Sequence, residues 1–296
     1  MAKAKIGVIG GSGLYQMEGM SNIEETRVKT PFGEPSDIIT IGTLHEVRIA
    51  FLPRHGKGHR ISPTELPVRA NIYALKSLGV EQIISISAVG SLKENIHPLD
   101  LVIPDQLVDR TKSRVNTFFG QGLVAHVGFA DPFCPHLSHV LYETAQKTGA
   151  KVHKGGTCIV IEGPLFSTRA ESFLYRSWGA SIVGMTTLPE AKLAREAEIC
   201  YATLAFVTDY DNWHQSEESV TVEMVVANLQ RSVEMAKNIL EMAISRVPDK
   251  RECQCANALK DAIITAPEHI PVHMKKELAL LIGKYVNWQR SDVSKA

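Results

Sequence analysis

The sequence predicts an α/β fold, on two grounds. Short apolar runs rich in β-branched and aromatic residues, at 5–9, 82–86, 101–105, 158–161, 181–184 and 199–207, read as buried strands, and segments of helical periodicity lie between them across the first 246 residues. The turns that follow these runs carry glycine, hydroxyls and charge, and open α/β sheets collect their ligands at the carboxyl ends of strands. A chain of 296 residues, 44% of them hydrophobic, can bury one large core. The expected division is an α/β domain over 1–248 and a helical extension over 249–296 packed on it, since no strand pattern follows the polar break Pro248-Asp249-Lys250-Arg251-Glu252.

The first strand runs into Gly10-Gly11-Ser12-Gly13-Leu14, where glycines let the backbone approach an anion and Ser12 adds a hydroxyl. A structural turn fits the same residues. Read as G-x-G-x-x-G from Gly11, the third glycine position holds Gln16, and no Gly-Lys-Ser/Thr follows, so neither a dinucleotide nor a P-loop site is predicted. A hairpin over 37–41 and 46–52 ends in Pro53-Arg54-His55-Gly56-Lys57-Gly58-His59-Arg60, the densest positive charge in the chain and suited to oxyanions through the arginine fork. His55 and His59 lack the H-E-x-x-H frame, and no zinc site is expected there.

A helix is predicted over 64–78, followed by the strand 82–86 and a hydroxyl-bearing turn, Ser87-Ala88-Val89-Gly90-Ser91-Leu92. The long loop-like span 109–135 carries His126, and loops of that length are usually functional. Beyond a helix over 136–148, Phe166 precedes a helix opened by the capping box Thr168–Glu171 and is placed to stack on a base or to pack in the core. A second capping box, Thr187–Glu190, would leave Thr186 free for a ligand at a helix amino end. The strand 199–207 leads into Thr208-Asp209-Tyr210-Asp211-Asn212-Trp213. Two carboxylates two residues apart on extended backbone would face one side, although a strand-ending turn has the same pattern. A long helix over 221–246 opens with Val222 and Val225, and two more, over 253–264 and 272–286, close the chain.

Lysine plus arginine balance aspartate plus glutamate at 32 each, which gives no overall field to gather nucleic acid or an anionic membrane. No run approaches the ~20 apolar residues of a membrane span, and the basic amino terminus lacks a signal-peptide core. A cytoplasmic location is expected. The five cysteines show no C-x-x-C spacing; reduced thiols are favoured, with Cys253-Gln254-Cys255 or Cys134 and Cys200 as conceivable disulfides.

Taken together, Gly10-Gly11-Ser12-Gly13-Leu14, Leu52-Pro53-Arg54-His55-Gly56, Ser87-Ala88-Val89-Gly90-Ser91-Leu92, Ile161-Glu162-Gly163-Pro164, Met185-Thr186-Thr187-Leu188-Pro189-Glu190 and Thr208-Asp209-Tyr210-Asp211 resemble, in order over residues 5–245, the trimeric purine nucleoside phosphorylase family. The resemblance implies a central mixed sheet flanked by helices and an enzyme that cleaves purine nucleosides with inorganic phosphate as co-substrate. It places phosphate on Ser12, Arg54, His55, Ser87, the Ala88 amide and Thr186, with Ser at the first and fourth positions where the family often has Thr. It places Met185 under the ribose, Phe166 on the purine and Asp209 and Asp211 on the N7 and N6 edges. It brings His126 from a neighbouring subunit, with Val222 and Val225, over the 5′ end, and so implies a homotrimer or a dimer of trimers. No metal and no organic cofactor are implied.

Chemistry supports these roles independently. Breaking an N-glycosidic bond builds negative charge on the departing purine, which a carboxyl of raised pKa can relieve by protonation; Asp209 is the candidate. A 6-amino group donates hydrogen bonds and suits the Asp211 carboxylate, whereas a 6-oxo group accepts and would suit asparagine. The apolar Val222 and Val225 favour a 5′-methylthio group over a hydroxyl. The rival expectations are a phosphorylase of 6-oxopurine nucleosides and a non-catalytic purine-binding protein.

Overall fold

The computed structural model describes residues 3–11, 17, 19–214 and 220–286. The chain begins with β1 (Ile6–Gly10), an edge strand β2 (Ser21–Thr26) and the hairpin β3 (Ile39–Leu44) and β4 (Val47–Pro53). Helix α1 (Val68–Ser77) leads to β5 (Gln82–Ser91), β6 (Leu101–Ile103) and β7 (Gln106–Arg110). Helix α2 (Pro135–Lys147), β8 (Val152–Lys154), β9 (Thr157–Ile161), α3 (Arg169–Ser177), β10 (Ile182–Gly184), α4 (Thr187–Glu196) and β11 (Cys200–Asp209) alternate after the long loop. The 23-residue α5 (Val222–Ile244) and the short α6 (Val272–Glu277) and α7 (Ala279–Ile282) complete the described elements.

The strands form one mixed sheet in which β5 is the hub. It runs parallel to β11 along nearly its whole length, from Gln82 beside Cys200 to Gly90 beside Asp209. On its other edge it pairs in parallel with β1 only as far as Ser85, then antiparallel with β10 at Gly90 and Ser91. Between Ser85 and Gly90 that edge therefore has no strand partner among the described residues. Both β5 and β11 are buried along almost their whole length and covered on both faces, as central strands of such sheets are. One face packs on α1, α4 and residues Leu259 to Val286, and the other on α2 and α5.

Several boundaries differ from the sequence reading. Ser87 to Ser91 have turn composition yet continue β5, because pairing with β11 outweighs their local preference. Helix α1 starts at Val68, since Pro67 occupies its N-cap. Thr168 and Glu171 do form a reciprocal capping box. Thr187 and Glu190 do not: Thr186 is the N-cap, and Leu188, forced out of the helical region by the following Pro189, has φ −111° and ψ 141°. Residues 253–264 contain a 3-10 turn, Gln254–Asn257, followed by turns rather than a helix. They are tied down laterally, by Leu259 N–H to Glu198 at 3.1 Å and by a β-bridge from Ile263 to Ala125. No helix among the described residues is long and apolar enough to cross a membrane.

Candidate active site

A cavity of about 610 Å³ lies at the carboxyl ends of β5 and β11, within the size range of small-molecule sites. It gathers most of the residues singled out in the sequence: Arg54, His55, Ser87, Ala88, Phe166, Met185, Thr186, Asp209, Asp211, Val222 and Val225 all line it. Ser12 lies outside the described residues; Gly11, which precedes it in the sequence, lines the cavity. His126 is exposed and does not line the cavity of its own chain; its backbone N–H donates to Ala262 O at 2.9 Å.

The acid pair is not held on extended backbone. Asp209 ends β11, whereas Asp211 sits in the following turn at φ 50°, a conformation that aspartate tolerates better than most residues. The turn curls back so that the Asp211 N–H donates to Asp209 Oδ1 at 2.8 Å. Close approach of this turn to β5 depends on Gly90, where a Cβ would come within 2.8 Å of Asp209 Oδ1. Burial raises the Asp209 pKa to about 6, opposed by hydrogen bonds from the Thr208 hydroxyl and the Asp211 amide; the Asp211 charge is the smallest contributor. Thr208 Oγ1 lies 2.7 Å from Asp209 Oδ2 and 3.3 Å from Val89 O. When Asp209 is protonated it can donate to Thr208, whose own hydrogen then turns to Val89. Asp211, whose pKa burial also raises, accepts a short hydrogen bond from Ser172 of α3.

At the unpaired edge of β5 stands Arg54, buried with Glu190 of α4. Its Nε donates to Glu190 Oε1 at 2.6 Å and Nη2 to Ser85 Oγ at 2.7 Å, while Nη1 donates to Ile86 O at 2.7 Å. Tyr201 of β11 donates to Glu190 Oε2 at 2.8 Å. Burial works against the guanidinium charge, but Glu190 restores it and the Arg54 pKa is raised. Most of the Arg54 donors are thus committed within the protein. Because backbone groups two residues apart point to the same edge of a strand, the Ala88 amide faces the gap that the Ile86 carbonyl faces. Ser87 Oγ and Thr186 Oγ1 stand 3.2 Å apart beside it. Thr186 makes no capping bond to its own helix, so its hydroxyl is available to the cavity. Burial, then the Arg54 charge, lowers the His55 pKa to about 4; its Nδ1 donates to Ile61 O at 2.8 Å, and its ring stacks on His59 at 4.1 Å.

Sequence reasoning missed Arg114, Glu190 and Ser172 as parts of this site. Arg114, from the long loop, donates to Leu188 O at 2.6 Å and to Ile161 O at 3.3 Å, and also to Met185 O and Glu162 O, clamping the β10–α4 turn to the end of β9. The length of that loop was the only signal of it. Gly163, at φ 67°, leaves room for Met185, whose sulfur would lie 2.6 Å from a Cβ there.

Removing one member of a buried ion pair leaves the other charge uncompensated. Arg54→Ala and Glu190→Gln are therefore each expected to lower unfolding stability by about 3–5 kcal/mol in urea melts, since either leaves its partner's charge buried and unpaired. Small losses in both would show that the pair does not organise the site.

Comparison with known proteins assigns the chain to a family. The family model for the phosphorylase superfamily matches residues 5–245. An S-methyl-5'-thioadenosine phosphorylase of Geobacter sulfurreducens is 58% identical over 282 residues, covering 95% of this chain and 99% of that protein. Among solved structures, a methylthioadenosine phosphorylase from an antarctic soil metagenomic library superposes with TM-score 0.91 at 49% identity, covering 95% of this chain and 99% of that one. An adenosine/methylthioadenosine phosphorylase from Schistosoma mansoni, crystallised as a mutant with adenine, superposes with TM-score 0.84 at 37% identity over 89% of this chain and all of that one. With a family match across most of its length and relatives this similar, the protein belongs to the phosphorylase superfamily.

Proposed function

We propose that the protein cleaves S-methyl-5′-thioadenosine with inorganic phosphate, giving adenine and 5-methylthioribose 1-phosphate. The observation that carries the reading is a buried carboxyl with its pKa raised to about 6, Asp209, sharing one cavity with the hydroxyls and amide at the unpaired edge of β5. Ser87 and Gly90 are three residues apart on one strand, so the anion-binding hydroxyls and the acid pair are separated by roughly 10 Å, room for a ribose between phosphate and base.

In this reading phosphate is held by Ser87, Thr186, the Ala88 amide, His55 and Ser12, beside Arg54. One phosphate oxygen bonds to C1′ as the bond from C1′ to N9 breaks, and the electron pair leaving with the purine is met by the Asp209 proton at N7. The anion lies against the ribose as that ring becomes cationic, and catalysis is mostly positioning and electrostatics. Phe166 packs on the base, Met185 lies under the sugar, and the Asp211 carboxylate accepts from the 6-amino group. Val222 and Val225, joined on the wall by Val226 and Leu229, give the 5′ substituent an apolar surface that a methylthio group fits better than a hydroxyl. Neither a metal nor an organic cofactor enters this chemistry. The exposed loop of His126 would reach the 5′ end of a neighbouring subunit's nucleoside, which makes the working unit a trimer or a pair of trimers.

Adenine release from S-methyl-5′-thioadenosine should depend on phosphate and be accompanied by an equal yield of sugar 1-phosphate; release at full rate without phosphate would mean hydrolysis. Only protonated Asp209 can donate, so kcat/KM should be highest below about pH 6 and fall roughly tenfold per unit above it through this group. Asp209→Asn should lose ~10²–10⁴ in kcat and flatten that limb. A wild-type limb retained in Asp209→Asn would assign the proton to another group. Asp211→Asn should weaken use of 6-aminopurine nucleosides and improve inosine relative to wild type, and an unchanged ratio would remove Asp211 from base choice.

A further inference from the structure

Four of the five cysteines converge far from the cavity. Cys134, Cys200, Cys253 and Cys255 place their sulfurs all within 4.8 Å of one another, with Cys200 and Cys253 at 3.3 Å. They come from three separate places: the N-cap of α2, the first residue of β11, and the two flanks of Gln254 at the 3-10 turn. Cys134, Cys200 and Cys255 are buried and Cys253 is half-buried. Cys200 is at the opposite end of β11 from Asp209, roughly 30 Å away along the strand.

We propose that these four cysteines form a structural tetrathiolate site for a thiophilic divalent cation, zinc above all. Four ligands at the ~2.3 Å zinc–sulfur distance of a tetrahedral site have sulfurs about 3.8 Å apart, and the four sulfurs here all lie within 4.8 Å of one another. A disulfide joins two sulfurs and gives no reason for a third and a fourth to meet at the same point. Soft thiolates select zinc over magnesium, calcium and manganese. Binding is not a redox step: the cation displaces up to one proton from each of the four thiols, and no electrons move.

The site would fasten the chain after residue 250 to the base of the central strand. That segment goes on to hold the loop of His126, through the Ile263–Ala125 bridge, Ile264 N–H to Val124 O at 2.9 Å and Val124 N–H to Thr265 Oγ1 at 2.8 Å. The role of the metal is thus to fix a loop, not to touch substrate.

The test uses full-length protein purified under reductant without added metal. Elemental analysis should find about one zinc per chain. Cobalt exchanged into the protein should show the absorption of a tetrahedral thiolate complex, and a mercurial that titrates the thiols should release the zinc to an indicator dye. Cys253→Ser with Cys255→Ser, at the periphery of the core, should cut bound zinc at least tenfold. Wild-type protein lacking stoichiometric metal overturns the proposal without reference to any variant, as does an intact mass lowered by two hydrogens for each of two disulfides, or zinc retained in full by the double variant.

Discussion

The buried pair of Arg54 and Glu190 is the interaction on which the site depends. Arg54 follows β4, its amide donates to Gly10 O of β1 at 2.9 Å, its side chain holds Ser85 and Ile86 of β5, and Glu190 brings in α4 and Tyr201 of β11. One ion pair therefore connects four strands and a helix at the level where their turns open on the cavity. Its cost in desolvation is considerable, and its benefit is geometric: it fills the unpaired edge of β5 and keeps that edge from closing. The gap it maintains is what leaves the Ala88 amide and the Ser87 and Thr186 hydroxyls facing a ligand.

A second clamp does similar work at the Asp209 and Met185 end of the cavity. Arg114 gathers the carbonyls of Ile161, Glu162, Met185 and Leu188, and Asn212 donates to Ser167 O at 2.6 Å, joining the acid turn to the loop of Phe166. Asn228 of α5 donates to Thr208 O at 2.7 Å and so fixes the valine-bearing helix to the same turn. Asp209, the loop of Phe166 and the valine-bearing start of α5 are thus one connected unit, whereas the Ser87 and Thr186 end of the cavity is organised by Arg54 and Glu190.

The alternation of strands and helices was legible because buried strands here are continuous apolar runs, and the cavity residues were legible because charge, hydroxyls and glycine gather after those runs. What stayed hidden was non-local. Ser87 to Ser91 look like a turn until β11 is beside them; Glu190 looks like a capping residue until Arg54, 136 positions away, claims it. Asp209 and Asp211 were found for a reason that proved incomplete, since a left-handed turn and not an extended strand brings them together. Cysteines at 134, 200, 253 and 255 have no spacing that announces a cluster, because the three elements that carry them meet only in the fold.

The hydrogen bond from His55 to the Ile61 carbonyl has a consequence for anion choice. With Nδ1–H committed and the ring neutral, Nε2 is left with a lone pair and no hydrogen. In the proposed function such an atom welcomes an anion that carries its own proton and repels one that does not. Phosphate near neutrality still holds a P–OH to offer; sulfate, alike in size and shape, has none. A carbonyl six residues along the chain would in this way let the site tell two tetrahedral oxyanions apart by their protons, a distinction that shape and charge alone could not make.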